Sequence, residues 1–299
     1  MKKSRTIRMT EEQLRYIIRE SLKQNNNKKK QNLFEGIDFD EFTGEVSYNP
    51  NHENNVDTSV GNNPTKSKRF GNNINVYSIF RRKNCTDPKV MHDGNPLLYA
   101  LKGENSWHFR SNKDKAAIFG QINKIVDKFL ANGIYDVTIV IPSGNQLNYT
   151  IADVVSKKCK NCHTIVDVLY KMNADAVREE ITQPDSYFMR SFKGNRQKYL
   201  QAMHELADSF NQMKQQRNNN FTYHFIKNPN LRKLITNTFK ANQERVGEYS
   251  ELINGKDILI IDDSITMGMT ITSACNVIKT TYLPKSITVL TLLSEKYSN

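Results

Sequence analysis

The stretch Ile258-Leu-Ile-Ile-Asp-Asp-Ser-Ile-Thr-Met-Gly-Met-Thr270 sets the reading of the whole chain. Its four successive branched aliphatics are too few for a helix, and they are bounded by Gly255 on one side and two carboxylates on the other. That pattern predicts a strand buried on both faces. Asp262 and Asp263 then fall at its C-terminal end, where open α/β sheets receive ligands beyond the carboxyl ends of parallel strands. Ser264 to Thr270 adds three hydroxyls and Gly268 and runs into an apolar-periodic helix, Ile271 to Lys279. A helix N-terminus with free N–H groups, a glycine that lets the backbone approach, and threonine hydroxyls form an anion cradle. Ionised Asp only accepts hydrogen bonds, so two carboxylates beside such a cradle call for a ligand that also offers hydroxyls or a metal ion. A sugar phosphate with vicinal hydroxyls, or a phosphate with Mg²⁺, has both features. The bland alternative, a polar loop that merely caps a helix, gives no reason for strand, acids, hydroxyls, glycine and helix to follow in this order.

These residues resemble the phosphoribosyl pyrophosphate (PRPP) binding motif of type I phosphoribosyltransferases, in which an apolar strand leads to two acidic residues and a Thr/Gly-rich phosphate loop. The departure is Met267, where many members carry a Thr; the amidophosphoribosyltransferase branch, which shares Asp-Asp-Ser-Ile, also lacks it. The resemblance implies an α/β fold with a mostly parallel sheet flanked by helices, a helical hood over the site, and transfer of a 5-phosphoribosyl group from PRPP with Mg²⁺ bridging and pyrophosphate leaving. It gives Asp262 and Asp263 to the ribose hydroxyls, directly or through metal-bound water, which makes both of them the metal residues as well as the catalytic ones. It gives Ser264, Thr266, Met267, Gly268, Met269 and Thr270 to the cradle around the 5′-phosphate, and Ser143 and Gly144 to pyrophosphate. Relatives acting on oxopurines place an acid where Thr266 stands, and threonine cannot serve as a base near neutral pH, which disfavours oxopurine salvage. Glutamine amide transfer is disfavoured too, since Lys2 stands where an N-terminal cysteine nucleophile is required and no glutaminase-sized domain is expected ahead of the fold.

Charge is unevenly distributed. Of the formal net charge of +12, +7 lies in Met1 to Leu33, which holds ten basic and three acidic side chains. Basicity thus describes an arm more than a surface. Thr10-Glu-Glu-Gln13 is a capping-box signature, and Leu14, Ile17, Ile18 and Leu22 recur at helical spacing, so a short amphipathic helix is expected within an arm over 1–32. The arm reads as a site for nucleic acid, another acidic partner or a membrane surface, or as a solvated tail. Its opening residues resemble the N-termini of assorted phage proteins. The chain has no run of eighteen apolar residues and no apolar signal core after its basic start, so a soluble protein without a membrane span is expected, cytoplasmic, or virion-associated if phage-encoded. Cys85, Cys159, Cys162 and Cys275 are too few and too irregular for a disulfide framework.

Residues 33–73, rich in Asn, Ser, Gly, Pro and charge, read as a flexible linker with the domain boundary near Phe70. The expected domain, 74–299, begins with the alternating stretch Ile74 to Phe80, followed by a helix over Ala116 to Leu130 that ends at Asn132-Gly133. Asp136-Val-Thr-Ile-Val-Ile-Pro-Ser143 reads as a second buried strand, with a helix from about Asn148 to Lys158 and a strand over His163 to Leu169. In order of elements this part is similar to the competence-protein-F group of the same family. Cys159-Lys-Asn-Cys-His163 matches a haem-attachment or half-zinc string, but no second ligand pair is suitably spaced, so it reads as a helix-ending turn with two ordinary thiols. Residues 171–230 read as a helical insertion, the hood that the resemblance implies, with Arg178, Arg190, Lys193 and Arg196 as candidates to reach pyrophosphate. A strand over Phe221 to Ile226, a helix over Leu231 to Ala241 and a last strand over Ser286 to Leu293 complete the expected fold. A rival to the enzyme is a PRPP-fold protein that binds nucleic acid, or a phage structural or packaged protein, without catalysis. The acceptor is not legible, and a homo-oligomer is left open.

Overall fold

A computed structural model describes residues 35–70, 74–83, 95–181, 190, 192–265 and 267–295. The arm expected over 1–32, Cys85 and Thr266 lie outside the described residues. The described chain divides into two compact units, one of residues 35–63 and 82–121, the other of residues 64–81 and 122–295.

In the first unit, β1 (Gly36–Asp40) and β2 (Glu45–Asn49) form an antiparallel hairpin, and β6 (His108–Phe109) runs parallel to β2. The hairpin turn is held by the Asp40 carboxylate, which accepts the Phe42 N–H at 2.8 Å, and by Gly44 at φ 71°. Helix α1 (Asn95–Lys102) packs on β2 and β6. After β3 (Val56–Asp57) the chain knots around the buried Asp57, which accepts from the Ser59 N–H and hydroxyl and from Asn62, while Asn63 donates to the Asp57 and Ser59 carbonyls. Where a flexible linker is expected over 33–73, the described residues 35–70 instead hold four short strands and this side-chain network. Ile37, Val46 and Val56 are fully buried, and Asp57, Ser59, Asn62 and Asn63 hydrogen-bond one another and the backbone. The boundary does not fall near Phe70 either; the chain passes between the units at several points.

The second unit is built on a sheet of order β5-β12-β11-β7-β8. Its strands are β5 (Asn75–Arg82), β12 (Ser286–Leu293), β11 (Asp257–Ser264), β7 (Val137–Val140) and β8 (His163–Ile165). All of these pair in parallel, and β4 (Thr65–Lys66) joins β5 antiparallel. The register places Ile258 beside Ile287 and Val137, and Ile261 beside Leu290 and Val140. Alternate residues of β11 face opposite sides, yet Ile258, Leu259, Ile260 and Ile261 are all fully buried, so both faces of the sheet are covered. On one face lie α7 (Val246–Ile253) and α8 (Met269–Thr281), with Tyr249, Ile253, Ile271, Ala274 and Ile278 packed on Val137, Ile139, Ile258, Ile260 and Val289. Helix α3 (Leu147–Ser156) packs on β7, β8 and β11. The expected mixed α/β architecture with a mostly parallel, helix-flanked sheet is found, and α2 (Asn112–Leu130) begins one turn before the expected helix.

The long insertion leaves and re-enters through a two-stranded antiparallel ribbon, β9 (Leu169–Lys171) with β10 (Phe239–Ala241). It contains α4 (Ala174–Glu179), α5 (Arg196–Gln216) and α6 (Pro229–Arg232), and it has an apolar cluster of its own that includes Val177, Leu206, Phe210, Met213, Phe221 and Leu231. Three local expectations fail here. Phe221 to Ile226 is not a strand but contains a 3-10 turn, Tyr223–Phe225, whose Tyr223 hydroxyl donates to the Ile235 carbonyl. Leu231 to Ala241 is not one helix, because it ends at Arg232 and β10 follows. The strand expected over His163 to Leu169 is two short strands, which pair in different sheets.

Candidate functional site

The chain leaves β7 through α3 toward β8 and leaves β11 through α8 toward β12, so these neighbouring parallel strands are exited in opposite directions. In open α/β sheets such a reversal is where a ligand crevice forms, beyond the carboxyl ends of the strands. Asp262 and Asp263 lie on one side of it and Ser143 and Gly144 on the other; the Ile141 N–H bonds the Ile261 carbonyl at 3.0 Å and keeps the two strand ends together.

Asp262 is only 5 % exposed. Its Oδ1 accepts the Asp263 N–H at 2.9 Å and lies 3.4 Å from the Asn148 side-chain amide. Asp263 is half-buried, and its Oδ1 accepts the Ser264 hydroxyl at 2.7 Å. The buried Ile265 then bonds the Leu293 carbonyl at 2.9 Å, anchoring the loop to β12. Met267 is half-buried, as are Met269 and Thr270 in the first turn of α8. Gly268 is the N-cap, in the left-handed region at φ 77°, and its carbonyl accepts the Thr272 N–H at 2.8 Å. A glycine cap brings no side-chain acceptor, and the first-turn N–H groups have no acceptor within the helix itself, which leaves this end suited to an anion. A Cβ at Gly268 would lie 2.5 Å from the Phe70 ring, which packs against the loop.

Across the crevice Ser143 is half-buried, and its Oγ accepts the Asn145 amide at 2.9 Å. The Asn145 side-chain oxygen in turn accepts the Leu147 N–H at 3.0 Å, where α3 starts. Gly144 is exposed, with open space where a Cβ would stand. The structure thus brings Asp262, Asp263 and Ser264 to the same sheet end as Ser143 and Gly144, and places Met267 to Thr270 at the start of α8. Arg178, Arg190, Lys193 and Arg196 are all exposed on the insertion.

Sequence reasoning missed three residues. Asn148 is fully buried beneath Asp262, and an Asn at a helix start reads as a cap rather than as a core amide. Glu295, 7 % exposed just beyond β12, accepts the Ser67 hydroxyl at 2.5 Å on Oε1, and its Oε2 is buried without a hydrogen-bond partner. An acid immediately after a buried strand is the signal that marked Asp262, and it was present at Glu295 too. Phe70 lay in a polar stretch with no periodicity to place it.

Among the described residues no group of three or more His, Cys, Asp or Glu could hold a metal ion. The donor set of Asp262 and Asp263 nonetheless fits Mg²⁺ in its usual mode, with one or two carboxylates plus water and ligand phosphate oxygens rather than an all-protein cage. Cys159 and Cys162 lie in the turn after α3. The Cys162 thiol contacts the Thr138 hydroxyl at 3.0 Å, and burial pushes it up to about 11. Cys275, on α8, is pushed to about 12 by burial, which outweighs the lowering effect of the nearby Lys279 charge. No helix among the described residues is long and apolar enough to cross a membrane. No protein-family model matches the chain, and no curated protein matches it.

Proposed function

We propose that the crevice binds PRPP and that the protein transfers its 5-phosphoribosyl group to an acceptor, with release of pyrophosphate. One observation carries the reading: the Asp262–Asp263 pair stands at the carboxyl end of β11, at the reversal of strand order, and leads through a glycine-capped loop into the N-terminus of α8. Asp262 and Asp263 accept from the ribose hydroxyls. The first-turn N–H groups of α8 hold the 5′-phosphate, while Ser143 and the open backbone at Gly144 face pyrophosphate. In the reaction the bond from ribose C1 to the pyrophosphate oxygen breaks, that oxygen keeps the electron pair, and a bond from C1 to the acceptor forms. Positive charge develops on the ribosyl ring in between, and two fixed carboxylates nearby stabilise it without moving. A Mg²⁺ held by Asp262, Asp263 and phosphate oxygens would neutralise charge on the leaving group. The test is an acceptor screen that reads pyrophosphate release, run on the wild-type chain and on an Asp262→Asn/Asp263→Asn variant. Release in the wild type alone supports transfer.

Met267, in place of the Thr that many members of the resembling family carry, favours a second reading, a fold that binds without transfer. It expects no pyrophosphate with any acceptor and, if the arm binds nucleic acid, an affinity that falls steeply with salt.

A further inference from the structure

Asn148 puts a side-chain amide on the buried face of α3, beside Leu147, Ile151, Ala152 and Val155, where a leucine would pack without any polar cost. It is 0 % exposed. Its Nδ2 donates to the Ile141 carbonyl at 3.0 Å and to Asp262 Oδ1 at 3.4 Å. Its own Oδ1 is buried with no hydrogen-bond partner. An amide kept in an apolar setting with one end unsatisfied is costly for stability alone. What it does do is join the two sides of the crevice. Ile141 opens the Pro142–Ser143–Gly144 loop, and Asp262 is the buried member of the acidic pair.

Resting on the reading of the crevice as a PRPP site, we infer that Asn148 is a positioning residue. It sets the plane of the Asp262 carboxylate and ties the pyrophosphate-facing loop to it, so that the ribose and pyrophosphate sides keep a fixed separation. Asn148 touches neither substrate nor metal and acts only through Asp262 and the Ile141 carbonyl. The 3.4 Å contact is long for a hydrogen bond to a carboxylate and is expected to shorten when ligand binds.

The test is a double-variant cycle on the full chain: Asn148→Leu, Asp262→Asn and both together, with PRPP plus Mg²⁺ affinity read from ligand-dependent thermal stabilisation. Asn148→Leu is expected to weaken binding about ten-fold, the effect of one hydrogen bond to a charged group. Made on top of Asp262→Asn it is expected to change binding by less than about two-fold, because its lever is gone. The same factor in both backgrounds overturns the inference and leaves Asn148 as a helix-packing residue. If Asp262→Asn binds too weakly to measure, Asp262→Glu, which keeps the charge but moves the carboxylate, gives the second background with the same two outcomes. Asn148→Ser replaces Asn148→Leu if the latter does not fold. A wild-type chain that PRPP plus Mg²⁺ does not stabilise refutes the PRPP reading itself, whereas a stabilised wild type with equal factors refutes only the role of Asn148.

Discussion

Gly268→Ala is the substitution for which the structure gives two separable costs. Gly268 sits at φ 77°, where an L-residue pays about 1–2 kcal/mol for the approach of its Cβ to the following carbonyl. The new Cβ would also stand 2.5 Å from the Phe70 Cζ and 3.0 Å from its Cε1, inside any tolerable contact. Overpacking of this kind costs about 1–3 kcal/mol more, depending on how far the ring yields. The expected loss is therefore about 2–5 kcal/mol, measured by urea unfolding with the slope checked for constancy. Phe70→Ala removes the ring but not the φ requirement. In that background Gly268→Ala should cost only the backbone share, about 1–2 kcal/mol. The difference between backgrounds isolates the ring contact. An equal cost in both backgrounds would refute the placement of Phe70 against the loop, and no cost in either would refute the left-handed cap.

Two further outcomes follow from buried or paired side chains. Because burial holds the Cys275 thiol neutral up to about 12 and pushes the half-buried Cys162 thiol up to about 11, thiol-alkylating reagents should modify Cys159 first in the native protein, Cys162 more slowly, and Cys275 only at the rate of unfolding, as read by peptide mass spectrometry. The sign for stability is fixed by the raised native value. From the ordinary 9.0 upward the unfolded thiol ionises first, so stability should fall between about 9 and about 12, and Cys275→Ala should remove that part of the decline. Tyr249→Phe deletes the hydroxyl that donates to Asp167, which Arg245 also pairs at 2.7 Å. Partial desolvation pushes the Asp167 carboxyl up, but the Tyr249 and Arg245 hydrogen bonds outweigh it and hold it below 3.8. The stability so contributed is present above that value and lost as pH falls through the depressed one. The variant should lose about 1 kcal/mol at neutral pH, reduced by the partial exposure of the carboxylate, and the gap from wild type should close on acidification. A gap constant with pH would show that Tyr249 contributes packing alone.

The central sheet was legible because β7, β11 and β12 are buried on both faces, and only runs such as Ile258 to Ile261 suit that environment. Asp262 and Asp263 stood out as charge placed directly after such a run. The segment from 36 to 66 was not legible, since its order comes from side chains bonding the backbone locally, as at Asp57, Ser59 and Asn63, and the same residue types fill linkers. Leu231, Leu234 and Ile235 have helical spacing and are buried, but Pro229 opens a helix that runs for one turn only, ending at Arg232 before the ribbon strand β10. The alternation of Phe221 to Ile226 is too short to separate a strand from a turn that buries Phe221 and Ile226. Asn148, Glu295 and Phe70 matter through partners more than sixty residues away in sequence. No local pattern records such pairings.

The most direct measurement of the central claim is the thermal unfolding of the full chain with and without PRPP plus Mg²⁺, alongside the Asp262→Asn/Asp263→Asn variant. A ligand that binds only the native state must raise its stability as its concentration passes the dissociation constant. The account predicts a concentration-dependent upward shift in the wild type and none in the variant. An unshifted wild type at saturating PRPP, or an equal shift in both proteins, would contradict it.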